Sequence, residues 1–165
     1  MLRNKKKIFG VIHEFSYEES TTYQGYEPIT QCYGVCFTKD GLVVIGRPKH
    51  LKNYMLPGGT PEENETPEET LIREVDEEVS CKILKHQLLG VQKVSFPNNE
   101  YTTRYQLRYA CIVEQQALTP DPDFNEEWEV LLVKPEEVNK YLKWGVILDR
   151  IMEQALEWFY QQKKN

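Results

Sequence analysis

The most constraining feature of this chain is an acidic segment whose sequence also favours a helix. Residues 62–78 contain nine Asp and Glu residues and one base, Arg73, which gives a local net charge of −8 in a chain whose net charge is −6. Thr66 suits a helix N-cap, a proline follows at the first helical position, and Glu69 completes a T-x-x-E capping box. A helix is therefore predicted from Thr66 to about Val79.

The spacing along this helix separates an apolar face from a carboxylate face. The residues predicted to form an apolar stripe against the core are Leu71, Ile72, Val75 and Val79. Glu74, Glu77 and Glu78 stand at i, i+3 and i+4, so their carboxylates cluster on a neighbouring face. Oxygen-rich acidic sites of this kind are preferred by Mg²⁺. The alternative is a solvated acidic face, which is the usual meaning of a charge run.

The residues before the helix extend this pattern into a longer motif. An apolar lead-in, Met-Leu-Pro, ends in Gly58-Gly59, and Gly59 is followed by five residues, Glu65, seven residues and Arg-Glu-Val-Asp-Glu-Glu. The segment resembles the signature of the Nudix hydrolases, G-x5-E-x7-R-E-U-x-E-E-x-G-U, where U is a bulky aliphatic residue. The match, Gly59 to Cys81, departs at its end, where Ser80 replaces the glycine. If Ser80 only strains the helix exit, Ser80→Gly is expected to raise the melting temperature.

The resemblance implies an α/β (α+β) fold: a Nudix-like α/β/α sandwich with a mixed central sheet and a loop-helix-loop catalytic motif. It also implies a divalent cation, Mg²⁺ or Mn²⁺, as cofactor. The implied metal ligands are the carboxylates of Glu74, Glu77 and Glu78 and the carbonyl of Gly59. Arg73 would pair with Glu65 and orient the ligand carboxylates. The alternative for Arg73 is an ordinary surface salt bridge, worth at most about 1 kcal/mol.

The activity implied by the resemblance is hydrolysis of the diphosphate linkage in a nucleoside diphosphate derivative, such as a nucleoside triphosphate, ADP-ribose or a sugar nucleotide. Metal ions would neutralise the phosphate oxygens and lower the pKa of a bound water, and a carboxylate would accept its proton. The expected catalytic residues are Arg73, Glu65, Glu74, Glu77, Glu126 and Glu127. The alternative function is a non-catalytic Nudix-fold module that binds a nucleotide for regulation, because a fold does not fix a function.

Several of the candidates lie outside the motif. Glu126 and Glu127 precede a predicted strand and could supply the base or a further metal ligand, or be solvent-facing loop charges. Arg47, with Lys49 beside it, ends another strand and could bind phosphate or simply decorate the strand end. Tyr101 and Arg104 combine aromatic and cationic groups that can bind a base. Alternation along a half-exposed strand explains them equally well.

The rest of the sequence predicts a single domain, 1–165, with an N-terminal strand or extension at 1–30 and a core at 31–160. The predicted strands are 6–16, 31–38, 42–46, 82–96 with a bend at Gly90, 102–113 and 129–133, and helices are predicted from 135 and over 146–160. The four cysteines are expected to be buried, reduced thiols rather than a zinc site.

Composition restricts the expected partners and compartment. A pI near 5.2 argues against nonspecific binding to nucleic acid. No apolar run approaches the roughly 20 residues that span a bilayer. The apolar run after the N-terminal lysines is too short for a signal peptide, so the cytoplasm is the expected compartment. The expected partner is a small-molecule nucleotide substrate, and the N-terminal strand or the C-terminal helix could support a homodimer.

Overall fold

Eight strands form one mixed sheet in the computed structural model, which describes residues 1–164. The strands are β1 Leu2–Ile8, β2 Val11–Glu19, β3 Ile29–Phe37, β4 Val43–Arg47, β5 Gly58–Gly59, β6 Cys81–Ser95, β7 Arg104–Gln115 and β8 Glu129–Val133. Their order is β1-β2-β6-β7-β3-β4-β8, and β5 pairs with β3. The β3–β7 pair is parallel, and the remaining pairs are antiparallel.

Helices cover both faces of this sheet. They are α1 Pro67–Val79, α2 Val138–Leu142 and α3 Val146–Lys164, with a 3₁₀ turn at Pro135–Glu137 before α2. Strand β3 shows the two layers: Cys32 and Cys36 pack in the cluster that contains α1, whereas Val35 and Phe37 pack in the cluster that contains α2 and α3. Alternate residues of a strand point to opposite faces, so the arrangement is the predicted α/β/α sandwich.

Helix α1 begins as the sequence predicts. The Thr66 hydroxyl accepts a hydrogen bond from the Glu69 N–H, and the Glu69 carboxylate accepts one from the Thr66 N–H. Leu71 and Val75 are fully buried against the sheet. The prediction for Ile72 was wrong, because its side chain is 47% exposed. One residue turns an α-helix by about 100°, which carries Ile72 off the buried stripe.

The N-terminal segment differs from the prediction. The single strand expected at 6–16 is an antiparallel hairpin of β1 and β2, with Ile8 paired to Val11. Its turn places Phe9 and Gly10 at φ 47° and 83°. A positive φ is uncommon for a bulky residue, so Phe9 does not mark a turn in the sequence. Strand β2 pairs with β6, which extends the sheet. The division into an extension at 1–30 and a core at 31–160 stays a prediction.

The remaining strands and helices lie where they are predicted, with end shifts of a few residues. The expected bend at Gly90 is a register irregularity of the β6–β7 pair between Leu88 and Gly90. Helix α3 continues to Lys164, four residues beyond its predicted end. All four cysteines are buried and free, as expected. No helix within residues 1–164 is long and apolar enough to cross a lipid bilayer.

Candidate active site

Two carboxylates of the motif are buried, those of Glu74 and Glu78. Glu78 lies on the last turn of α1 and accepts a hydrogen bond from the Gly58 N–H at 2.8 Å. The residue is only 9% exposed. Burial raises the Glu78 pKa from 4.5 to about 9, and the neighbouring charges of Glu74 and Asp121 add to this rise, although the Gly58 hydrogen bond opposes it. A carboxylate in this setting gains stability when a cation approaches it.

The double glycine allows the sheet to approach this carboxylate cluster. A Cβ atom on Gly59 would lie 2.3 Å from Oε1 of Glu74. Gly58 has φ 145°, and a Cβ atom there would lie 2.0 Å from the Cys32 carbonyl oxygen. Gly58 therefore requires glycine, whereas a side chain at position 59 would displace the Glu74 carboxylate. Burial also raises the pKa of Glu74, while the charge of Arg73 lowers it.

Arg73 joins three of the acidic side chains. Its Nε and Nη2 donate to the two carboxylate oxygens of Glu65 at 2.8 and 3.0 Å. Its Nη1 lies 3.0 Å from Oε1 of Glu74 and donates to Glu77 at 3.1 Å. The predicted Arg73–Glu65 pair is therefore present, and it is bidentate rather than a loose surface contact. Hydrogen bonding to Arg73 lowers the pKa of Glu65 to about 2.

The chemical type of the donors in this cluster suits a hard divalent cation. Within residues 1–164 no three His, Cys, Asp or Glu side chains converge on one point, and the Arg73 guanidinium lies against Glu74 and Glu77. The donor atoms of the carboxylates around Arg73 are nevertheless all oxygen, which is the ligand type that Mg²⁺ and Mn²⁺ prefer. Glu74 and Glu78 are also buried and have raised pKa values, so a bound cation would compensate their charge.

Two acids near this cluster, Asp121 and Asp123, were not predicted from the sequence. Asp121, in the loop after β7, is 3% exposed, and its Oδ1 accepts a hydrogen bond from the Asp123 N–H at 2.8 Å. The negative charge of Asp121 raises the pKa of Glu78, and the negative charge of Asp123 raises the pKa of Glu74. Both belong to a turn-rich segment with no periodic pattern. The only signal was the Asp-Pro-Asp run, which the sequence does not place near α1.

The predicted loop carboxylates contact a different part of the protein. Glu126 contacts His50, and the Glu127 carboxylate lies 4.0 Å from the Lys49 ammonium. Both partners belong to the segment between β4 and β5. A catalytic role for Glu126 or Glu127 stays a prediction.

The predicted substrate-binding residues lie in two separate places. Arg47, at the end of β4, donates to the Glu129 carboxylate and to the Leu51 carbonyl. Tyr101 and the Arg104 guanidinium both pack on the Phe96 ring, each about 5.4 Å from its centre, at the turn between β6 and β7. The structure does not bring Arg47 together with the other two. Their binding to substrate stays a prediction.

The exit of α1 explains how serine is accommodated where the motif has glycine. Ser80 adopts the left-handed conformation, with φ 49° and ψ 50°. Its hydroxyl oxygen accepts a hydrogen bond from the Thr119 N–H at 3.0 Å. The side chain thus links the helix end to the loop that carries Asp121. This contact offsets part of the backbone strain that the sequence predicted.

Known proteins resemble this chain in sequence and in fold. An 8-oxo-dGTP diphosphatase of Proteus vulgaris is 33% identical over 78 residues, which cover 44% of this chain and 68% of that protein. The pyrophosphohydrolase BsRppH of Bacillus subtilis superposes with a TM-score of 0.70 at 19% identity, covering 95% of this chain and 97% of the other. A MutT Nudix hydrolase of Burkholderia pseudomallei gives a TM-score of 0.56 at 19% identity, covering 78% and 98%.

The structural similarities concern the fold, because both identities are below 20%. The family assignment comes from the sequence, because the family model of the NUDIX domain matches residues 29–155. That range contains the whole Gly59–Cys81 motif together with α1 and its flanking strands. This chain therefore belongs to the Nudix family, as a diphosphate hydrolase of the Nudix type.

Proposed function

We propose that this protein uses Mg²⁺ or Mn²⁺ to hydrolyse the diphosphate linkage of a nucleoside diphosphate derivative: a nucleoside triphosphate, ADP-ribose or a sugar nucleotide. The observation that carries the metal dependence is the pair of buried carboxylates, Glu74 and Glu78, held against Gly58-Gly59. The similarity to an 8-oxo-dGTP diphosphatase favours a nucleoside triphosphate among the three substrate classes.

Each side chain of the site has a task in this proposal. The carboxylates of Glu74, Glu77 and Glu78 and the Gly59 carbonyl hold the cation. When bound, the cation neutralises phosphate oxygens and lowers the pKa of a coordinated water. Arg73 orients Glu74 and Glu77, and Glu65 fixes Arg73 through its bidentate pair. A carboxylate outside this set accepts the proton of the attacking water. Asp121 joins Glu126 and Glu127 as a candidate for that role.

A substrate panel tests the proposal. Purified protein is incubated with nucleoside triphosphates, ADP-ribose and sugar nucleotides in Mg²⁺, in Mn²⁺ or in EDTA, and the products are separated. We expect turnover of at least one substrate only with metal. Glu77→Gln should lower kcat by at least 100-fold, since one metal ligand is lost. Glu63→Gln removes an equal charge from an exposed loop position and serves as the matched control.

Two results would contradict the proposal. The first is a folded protein that binds nucleotide but hydrolyses no member of the panel, which is the behaviour of a non-catalytic regulatory module. The second is a Glu77→Gln variant whose kcat equals that of the unmodified protein.

A further inference from the structure

The N-terminal hairpin carries a positive charge at the edge of the sheet. Residues 1–13 contain four basic side chains and no Asp or Glu, which gives them a side-chain net charge of +4 in a chain whose net charge is −6. The four basic residues, all exposed on β1, are Arg3, Lys5, Lys6 and Lys7. Within the described part of the chain only Lys5 forms an ion pair, with Glu14 at 3.5 Å. The edge strand is therefore a basic surface on an acidic protein.

The hairpin tip, residues 8–12, is apolar and exposed. Its apolar side chains are those of Ile8, Phe9, Val11 and Ile12. Phe9 has a relative exposure of 102%, and the other three residues are partly exposed. None of the four belongs to a core cluster of residues 1–164. The tip thus presents apolar surface to solvent directly beside the basic residues.

The backbone of the hairpin tip is unfavourable for the aromatic residue that it holds. Phe9 and Gly10 form the two-residue turn between the paired Ile8 and Val11, and both have positive φ, 47° and 83°. A turn of this kind favours Asn-Gly, because asparagine tolerates positive φ and a bulky residue does not. Phe9 therefore strains the backbone, and its ring is too exposed to offset the strain by packing. The stability of the fold does not explain this residue.

A structural role explains the lysines but not the hairpin tip. Charged side chains prevent an edge strand from pairing with another chain. The same charges oppose pairing of β1 with β1 of a second copy, because both strands are basic. An exposed apolar turn has the opposite effect, since it favours association. The basic strand and the apolar tip together fit a partner that is both negatively charged and apolar.

An anionic phospholipid surface has both properties, because charged headgroups cover an apolar acyl layer. A polynucleotide shares the charge, but it is held by aromatic rings that stack on its bases. Phe9 is the one Phe, Tyr or Trp among residues 1–13, and the other apolar side chains of the tip are aliphatic. The chemistry of the tip therefore favours a lipid surface over a polynucleotide.

The hairpin tip is distant from the candidate active site. Strand β1 is separated by three strands from β3, which pairs with the double glycine of the motif, a distance of about 19 Å across the sheet. Through the paired residues of β6, β7 and β3, Gly59 is in register with Glu18, seven residues from Val11 and thus about 23 Å along the strand. The tip can therefore enter a lipid surface while the motif stays outside it.

We propose that the N-terminal hairpin attaches the protein to an anionic phospholipid surface, with Phe9 among the acyl chains and the lysines of β1 on the headgroups. The attachment is peripheral, because a tip of five residues is far too short to span a bilayer. Its strength comes from the apolar area that is buried together with the attraction to anionic lipid. This role is additional to hydrolysis and does not depend on it.

Sedimentation of the whole protein with lipid vesicles tests this inference. The vesicles contain phosphatidylcholine alone or an equal mixture with phosphatidylserine, and EDTA prevents metal ions from bridging lipid and acidic side chains. We expect the mixed vesicles to bind the protein about tenfold tighter or more, since each lysine near an anionic surface contributes about fivefold. Added salt should weaken this binding, because it screens the attraction.

A variant of the hairpin tip separates docking from folding. Phe9→Asn creates the preferred turn sequence, so its melting temperature should equal or exceed that of the unmodified protein. It should still weaken binding to mixed vesicles by about tenfold, because the ring that inserts is lost. Lys5→Gln combined with Lys7→Gln should weaken binding by a similar factor.

Matched controls come from β6, outside its segment that pairs with β2. Leu84 is an exposed apolar residue there, and Lys82 and Lys85 are exposed beside it. Leu84→Asn, and Lys82→Gln combined with Lys85→Gln, should leave binding to the mixed vesicles unchanged. They remove the same kinds of side chain from a surface that has no role in the proposal.

Tryptophan fluorescence measures insertion directly. Phe9→Trp places a fluorophore at the hairpin tip. Mixed vesicles should move its emission to shorter wavelength, and brominated acyl chains should quench it. In Tyr160→Trp, at an exposed position of α3, the vesicles should change the emission no more than in the unmodified protein.

Three results would overturn the inference. The first is equal binding to the two kinds of vesicle, and the second is undiminished binding by Phe9→Asn. The third is tighter binding to a single-stranded RNA oligonucleotide than to mixed vesicles in the same buffer, because it would assign the basic strand to a polynucleotide. None of these measurements uses turnover, so their failure is distinct from failure of the proposed function.

Discussion

Replacing Glu78 by glutamine should stabilise the metal-free protein at neutral and alkaline pH. The native state raises the Glu78 pKa from 4.5 to about 9, so it binds the proton more tightly than the unfolded chain does. The stability that this proton contributes is fully present below about pH 4.5 and is lost as pH rises towards about 9. In this window each pH unit lowers the free energy of unfolding by about 1.4 kcal/mol. The loss from pH 6 to pH 8 is therefore about 3 kcal/mol. A glutamine can still accept the Gly58 hydrogen bond and carries no charge.

The assay is urea unfolding in EDTA at several pH values from 6 to 8 for the unmodified protein, Glu78→Gln and Glu63→Gln. The free energy of unfolding of Glu78→Gln, relative to the unmodified protein, should rise by about 3 kcal/mol across this range. The exposed control Glu63→Gln should show no such rise. A difference between Glu78→Gln and the unmodified protein that stays constant with pH would refute the reasoning, since it would mean that burial does not hold a proton on Glu78.

Two further predictions concern the ends of the motif. Ser80→Gly relieves the left-handed strain and loses the Thr119 hydrogen bond, so its free energy of unfolding should stay within about 1 kcal/mol of the unmodified protein. Ser80→Ala keeps the strain and should be about 1 kcal/mol less stable; equal stability of the alanine variant would show that the Thr119 contact contributes nothing. Gly59→Ala places a methyl group against the Glu74 carboxylate. It should abolish the rise in melting temperature caused by Mn²⁺, measured by differential scanning calorimetry, and an unchanged rise would contradict the close packing of the two residues.

The parts of the fold that the sequence predicts are those in which local chemistry and tertiary packing agree. The Thr66–Glu69 capping box and the acidic spacing determine α1 before any packing is considered, and the structure has both. Ile72 was assigned to the buried stripe because it is apolar, but the geometry of the helix decides its exposure. The turn at Phe9-Gly10 escaped prediction, because its backbone conformation contradicts the usual preference of its first residue.

The residues of the candidate site also fall into those that sequence spacing predicts and those that only the fold brings together. The motif places Glu65, Arg73 and Glu78 within α1 and its preceding loop, so sequence spacing alone brings them together. Asp121 reaches the cluster from a loop more than 40 residues away, and only the tertiary fold shows this.

Anomalous diffraction from crystals grown with Mn²⁺ tests the central claim most directly. We expect an anomalous peak contacted by the carboxylates of Glu74, Glu77 and Glu78 and by the Gly59 carbonyl, and no peak there in Glu78→Gln. A saturating Mn²⁺ concentration that leaves this position empty, or that places the ion away from α1, would contradict it.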